Sequence, residues 1–282
     1  MSNKKLDLLS TKTLVELFLE EEQKAITSLQ KQKSNITKAV NIIIKKYQKG
    51  GKIIYIGAGT SGRLGILDAV ECKPTFSTNS FYGIIAGGQG AFFKAIEGLE
   101  DNTKNAIKDL KKIKLTKDDV VVGISASGET PYTISAVMFA KKLKALTISI
   151  TSNPKSTLSK IVTCSISTPV GEEIISGSSR LKSGTLQKVI LNMLSSISMI
   201  KSGKVYENLM IDVKPTNKKL VKRAIRIISI ICKVPLNKAK LLFKRAKKNV
   251  KAAIVMHFKN CSHEKAISIL KNADFNLRKV IS

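Results

Sequence analysis

Apolar positions in the first fifty residues recur at helical spacing. Ile36, Val40, Ile43, Ile44 and Tyr47 fall on one stripe, which predicts a helix that Gly50-Gly51 ends. Upstream, Thr13-Leu-Val-Glu16 has capping-box spacing ahead of an apolar run and predicts a helix start. The period then changes. Lys52–Ile56 reads as a short buried strand, followed at once by the glycine-rich stretch Gly57–Gly65. A second strand is predicted after Asp119 and runs into the loop Ser125-Ala-Ser-Gly-Glu-Thr130. A third spans Ala145–Thr151 and stops before Asn153-Pro154, and a fourth lies near Cys164–Thr168. Strands alternating with helices predict an α/β fold whose parallel sheet is covered on both faces. From about Ser183 to Gly203 the pattern is helical again. The rest reads as several short helices around Ile227, Leu242, Ile254 and Leu270.

Composition narrows the class. The chain has 282 residues, 43% hydrophobic and 24% charged, enough to bury a sizeable core. Its longest apolar run is far shorter than the ~20 residues that cross a bilayer. No basic N-terminal end joins a continuous apolar stretch, so no signal peptide is expected. Cys72, Cys164, Cys232 and Cys261 lie far apart, with neither zinc nor redox spacing, and a reducing cytoplasm is the expected home. The net charge is +29, but only six of the 49 basic residues are arginine. Base reading and phosphate forks favour arginine, and there is no tryptophan to interleave with the charge. The reading therefore favours compositional drift for the lysine excess, leaves attraction of small anionic substrates as the next account, and ranks a nucleic-acid partner last. That excess is steepest from Lys214 to Ser282, with 19 basic and 2 acidic residues.

Two loops carry candidate chemistry. Gly57–Gly65 fits neither the dinucleotide fingerprint nor a P-loop. It does offer a tight turn and hydroxyls at a helix N-terminus, where main-chain N–H groups and the helix dipole favour an anion. In the second loop Ser125, Ser127 and Thr130 set three hydroxyls within six residues after a buried strand. Two such loops at the carboxyl edge of one parallel sheet point to a phosphate ligand.

The pair Gly-x-Gly-Thr-Ser and Ser-x-Ser-Gly-Glu-Thr resembles the sugar isomerase (SIS) fold, which binds phosphosugars. More narrowly, Gly57-Ala-Gly-Thr-Ser-Gly-Arg-Leu-Gly-Ile-Leu-Asp-Ala-Val-Glu-Cys-Lys-Pro-Thr-Phe76 resembles the signature of the N-acetylmuramic acid 6-phosphate etherases. Ala86-Gly-Gly88, Glu97-Gly-Leu-Glu-Asp101, Gly177–Thr185, Lys201–Val205, Asn208–Val213 and Lys251–Met256 extend the likeness along nearly the whole chain. The resemblance implies a five-stranded SIS-type sheet at 33–205, an N-terminal helical segment at 1–32, and a small helical, ubiquitin-associated-like domain at 206–282. No ubiquitin binding is inferred from that shape. It also implies a cytoplasmic homodimer that needs no metal or organic cofactor and has no membrane partner. The implied reaction cleaves the D-lactyl ether of N-acetylmuramate 6-phosphate to N-acetylglucosamine 6-phosphate and D-lactate.

The family's two catalytic glutamates fall on Glu71, as proton donor to lactate, and Glu100, as base at C2. Two carboxyl groups of separated pKa suffice for such an elimination. Ser61, Ser125, Ser127 and Thr130 are the implied phosphate ligands. Arg63, Arg180 and Lys182 are candidates for the lactyl carboxylate, the phosphate or a dimer interface. His257 and His263 match no catalytic pattern. The chain departs from the family at Glu129, usually arginine, and Lys73, usually proline. Ser77–Phe81 is about two residues short of the family's length. The chain also begins late, and activity is expected to fall if the family's leading stretch closes the site. Two other readings share the fold. A sugar-phosphate-binding regulator needs neither glutamate, and a phosphosugar isomerase needs no acid at C3.

Overall fold

In the computed structural model, residues 5–215 and 217–281 are described. Residues 1–4 of the expected N-terminal segment lie outside them. Helices α1 (Thr11–Leu29) and α2 (Lys33–Tyr47) come first. Ser10, not Thr13, caps α1: its side chain accepts from Thr13 N at 3.1 Å. Both residues carry the hydroxyl that the capping pattern needs, but Ser10 is the extended one, so the helix begins a turn earlier. α2 buries Ile36, Ala39, Val40 and Ile43 and ends at Gly50, whose φ of 83° suits a left-handed cap.

The central layer follows as β1 (Ile53–Gly57), α3 (Gly59–Phe76), β2 (Phe81–Ile85), α4 (Gly88–Phe93), α5 (Thr103–Lys112), β3 (Val120–Ile124), α6 (Pro131–Lys142), β4 (Leu146–Thr151), α7 (Thr157–Ile161) and β5 (Cys164–Ser167). The strands form one parallel sheet in the order β2-β1-β3-β4-β5. β1 and β3 are buried along their whole length, as expected of apolar runs inside a helix-covered sheet. β2 is the strand that the hydrophobic pattern hides. Gly83 breaks its apolar run, because a Cβ there would lie 2.4 Å from Ile66 Cα of α3. The glycine lets helix and strand touch directly. The chain leaves β1 for the edge strand β2 and returns to β3 on the other side. The switch point is therefore at the carboxyl ends of β1 and β3, where ligands of such sheets bind.

The chain then continues as α8 (Lys182–Lys201), the hairpin β6 (Val205–Tyr206) and β7 (Leu209–Met210), and helices α9 (Lys218–Cys232), α10 (Leu236–Arg245), α11 (Val250–Lys259), α12 (His263–Asn272) and α13 (Arg278–Ile281). Two compact units result. One holds the sheet: residues up to Ala69 with Ser80–Leu194. The other joins Val70–Asn79 to the chain from Ser195 onward. The divisions thus fall inside α3 and α8, against the expected boundaries at 32/33 and 205/206. The second unit has its own core, in which Ile228, Ala252, Ala253, Ile254 and Val255 are fully buried. Among the described residues no helix is long and apolar enough to cross a membrane.

Candidate active site

The first loop is built for close main-chain approach. A Cβ on Gly57 would meet Ile124 O of β3 at 2.7 Å, and one on Gly62 would meet Gly57 O at the same distance. Gly59 takes a left-handed φ of 52°. The turn delivers Thr60 and half-buried Ser61 into the first turn of α3, among its unpaired N–H groups.

The second loop is a hydroxyl cluster. Ser125 Oγ, 3% exposed, lies 2.8 Å from Thr130 Oγ1 and 3.3 Å from Ser127 Oγ, and accepts from Gly128 N at 3.0 Å. Thr130 caps α6 in extended conformation but makes no side-chain cap bond, which leaves its hydroxyl to the cluster. Exposed Glu129 accepts from Thr157 N at 2.8 Å and ties this loop to α7. The Thr157 hydrogen bonds hold its carboxyl below the usual glutamate range. Glu129 is thus a loop brace here.

Beside the first loop lies a cavity of about 430 Å³. Ala58, Gly59, Arg63, Lys94, Glu97 and Glu100 are among the residues that line it. Glu100 is exposed and sits on a single 3₁₀ turn, Leu99–Asp101, that follows Gly98 at φ 74°. Arg63 faces the cavity but spends three hydrogen bonds on main chain: Nε to Phe92 O at 2.9 Å, and one terminal nitrogen to Ala91 O at 2.7 Å and Lys94 O at 2.9 Å. It clamps the end of α4 to the second turn of α3. The cavity therefore gathers Arg63 and Glu100 from the candidate set.

Other candidates lie elsewhere. Glu71 is exposed, twelve residues beyond Gly59 on α3, and belongs to the second unit. Arg180 is exposed. Lys182, 2% exposed, donates to Glu21 Oε2 at 2.8 Å and Glu172 O at 2.6 Å. Glu173 accepts from the N–H groups of Lys182 and Ser183 at 3.0 Å each. Lys182 is therefore engaged in holding α1 and the 172–173 loop to the start of α8. Sequence reasoning missed Lys94 and Glu97 as cavity residues. A lysine among so many carries no signal, and Glu97 was eclipsed by the neighbouring Glu100.

Comparison with known proteins adds a second line. A family model described as the glucokinase regulatory protein N-terminal SIS domain matches residues 35–141, and the SIS domain matches 102–197. The N-acetylmuramic acid 6-phosphate etherase of Francisella tularensis subsp. holarctica is 49% identical over 269 residues, covering 95% of this chain and 92% of its own. That of Bacillus cytotoxicus is 47% identical over 278 residues, covering 98% and 95%. That of Staphylococcus aureus strain RF122 is 49% identical over 263 residues, covering 92% and 88%. Among solved structures, a phosphoheptose isomerase from Francisella tularensis aligns with a TM-score of 0.55 at 18% identity, covering 68% of this chain and 100% of its own. A protein of E. coli CFT073 aligns with a TM-score of 0.52 at 21% identity, covering 71% and 97%. At those identities the structures speak for the fold alone, which is the SIS fold.

Proposed function

Since the chain belongs to the N-acetylmuramic acid 6-phosphate etherase family, we propose that Glu100 and Glu71 carry its elimination and addition chemistry. The protein is a carbon–oxygen lyase acting on a phosphosugar, and its products are N-acetylglucosamine 6-phosphate and D-lactate. In the open-chain sugar the lactyl ether at C3 is β to the aldehyde. The Glu100 carboxylate removes the C2 proton, and the electron pair is delocalised into the C1 carbonyl. The C3–O bond then breaks, and the departing lactate oxygen takes a proton from Glu71. Water adds at C3 of the unsaturated aldehyde, giving its proton to Glu71, while Glu100, its carboxyl proton exchanged with solvent, delivers a proton to C2. Each carboxyl ends as it began, and one water is consumed.

Phosphate binding falls to Ser61, Ser125, Ser127 and Thr130 with the N-termini of α3 and α6. The observation that carries the reading is Glu100 on the wall of the cavity that opens beside Gly59 at the first of those N-termini. Arg63 holds that wall in shape through its Nε and one terminal nitrogen, which are committed to main chain. Arg180 remains a candidate for the lactyl carboxylate. Lys94, on the cavity wall, is a better-sited cation for it than Lys182. The family resemblance supports a cytoplasmic homodimer. Exposed Val15, Leu19 and Ile26 form one stripe on α1 that a second copy would cover.

The test is D-lactate release from N-acetylmuramate 6-phosphate beside unphosphorylated N-acetylmuramate. Release from the phosphorylated sugar only is expected. Isomerisation of a sugar phosphate without lactate release would overturn the reading.

A further inference from the structure

Two motifs near the end of the chain, Asn208–Val213 and Lys251–Met256, have no part in the chemistry above. They meet at one residue. Lys251 is 3% exposed, on a helix whose neighbouring positions are apolar and buried. Its Nζ donates to Asp212 Oδ2 at 3.1 Å and to Phe275 O at 2.8 Å. Lys204 Nζ reaches the same Asp212 oxygen at 2.8 Å. Burial pulls the Lys251 ammonium below the usual lysine range, against the opposing pull of Asp212. An isolated buried ammonium is costly, so this one persists because it is paired and hydrogen-bonded.

The network does not stop at Asp212. The Asp212 carbonyl accepts from Ser77 Oγ. Ser77 terminates α3: its N–H bonds back to Lys73 O at 3.0 Å and its φ is 52°, a left-handed cap. Six residues earlier on the same helix is Glu71. Between the two stands Pro74, inside the helix. Proline has no N–H, so the carbonyl of Val70 loses its helical donor just where Glu71 stands. The last turn of α3 is thus weakly held by its own ladder and is held from outside by Ser77. All of these residues belong to the second unit.

We infer that Lys251 is a positioning residue for the lyase reaction: through Asp212 and Ser77 it fixes the C-terminal end of α3, the helix that carries Glu71 little more than a turn before that end. This rests on Glu71 being the acid that protonates lactate. A displaced acid slows C–O cleavage, and ångström-scale misplacement is worth up to about a hundredfold. It leaves phosphate binding and the C2 proton step untouched, since Glu100 and the phosphate loops belong to the other unit.

The full-length chain and its Lys251→Met, Lys251→Arg, Ser77→Ala and Glu71→Gln variants are compared with N-acetylmuramate 6-phosphate. The readouts are lactate release, KM, and C2–H exchange in D₂O. Lys251→Met is expected to lower kcat for lactate release about tenfold to a hundredfold, with KM and C2 exchange within about twofold of the parent. Lys251→Arg is expected to recover most of the rate. Ser77→Ala, which removes only the hydroxyl bridge, is expected to lower kcat about threefold to tenfold. It decides the matter if Lys251→Met fails to fold, because parental kcat in Ser77→Ala would then overturn the inference. Parental lactate release by Lys251→Met while Glu71→Gln is inactive would overturn it too. So would a proportional loss of lactate release and C2 exchange, which marks general damage. Parental lactate release by Glu71→Gln would instead sink the acid assignment itself, whatever Lys251→Met does.

Discussion

Glu100 and Glu71 are held in two different ways. Glu100 rides a short 3₁₀ turn beside the sheet, and the wall around it is pinned by one arginine that reaches three main-chain carbonyls. Glu71 rides the far half of a long helix, and its end is pinned by a chain of polar contacts running through Ser77, Asp212 and Lys251. In the first case one side chain close in space does the work. In the second the support comes from residues more than a hundred positions away. A carboxylate on a loop needs its loop fixed; a carboxylate on a helix weakened by proline needs its helix end fixed.

The largest effect expected from breaking this pair is at Glu100 itself. Glu100→Gln should lower lactate release about 10²- to 10⁴-fold, the usual worth of a positioned general base, and should abolish C2–H exchange in D₂O. Glu100→Gln with retained exchange would remove Glu100 from that role. Next comes its clamp. Arg63→Met should lower kcat/KM about tenfold to a hundredfold and cost about 1–3 kcal/mol by urea denaturation, because three carbonyls lose a charged donor. An active, equally stable variant would mean that the cavity wall stands without Arg63.

Lys182 gives a stability contrast to Lys251. It is buried against Glu21, whose carboxyl is held below the usual range mainly by its hydrogen bond from Lys182. Lys182→Met leaves Glu21 with Lys24 as its remaining cation and should cost about 1–2 kcal/mol at neutral pH. A depressed carboxyl contributes stability above its unfolded value near 4.5 and loses it as pH falls through the lower folded value. The gap between parent and variant in denaturation midpoint should therefore close as pH drops below that value. A gap independent of pH would contradict the pairing.

How far the sequence carried this picture depends on whether a residue's partner is a side chain or main chain. The buried strands β1, β3, β4 and β5 and both loops were legible, because continuous apolar runs and glycine or serine clusters are local signals. β2 was not, because Gly83 answers to Ile66 of the helix packed on it. Arg63 and Lys182 were read as candidates for the lactyl carboxylate, the phosphate or a dimer interface, since a cation in a motif suggests an anionic partner. Their partners are carbonyls and the carboxylate of distant Glu21, none of which leaves a mark nearby in sequence. Glu71 and Glu100 came from family likeness, and no local pattern announces either.

Smaller effects sharpen the view of the phosphate loops. Ser125→Ala removes the acceptor for Gly128 N and the centre of the hydroxyl cluster. It should raise KM about tenfold while kcat changes about twofold or less, because the loop acts on binding rather than on C–O cleavage. Glu129→Gln should change KM by less than about threefold, since an exposed brace at Thr157 carries little energy. A large KM effect there would make Glu129 a substrate contact.

The central claim is elimination followed by addition. It is tested most directly by converting N-acetylmuramate 6-phosphate with the unaltered enzyme in D₂O and reading the sugar product by NMR. The account predicts one deuterium at C2 of N-acetylglucosamine 6-phosphate for each D-lactate released. Lactate release with protium retained at C2 would contradict it.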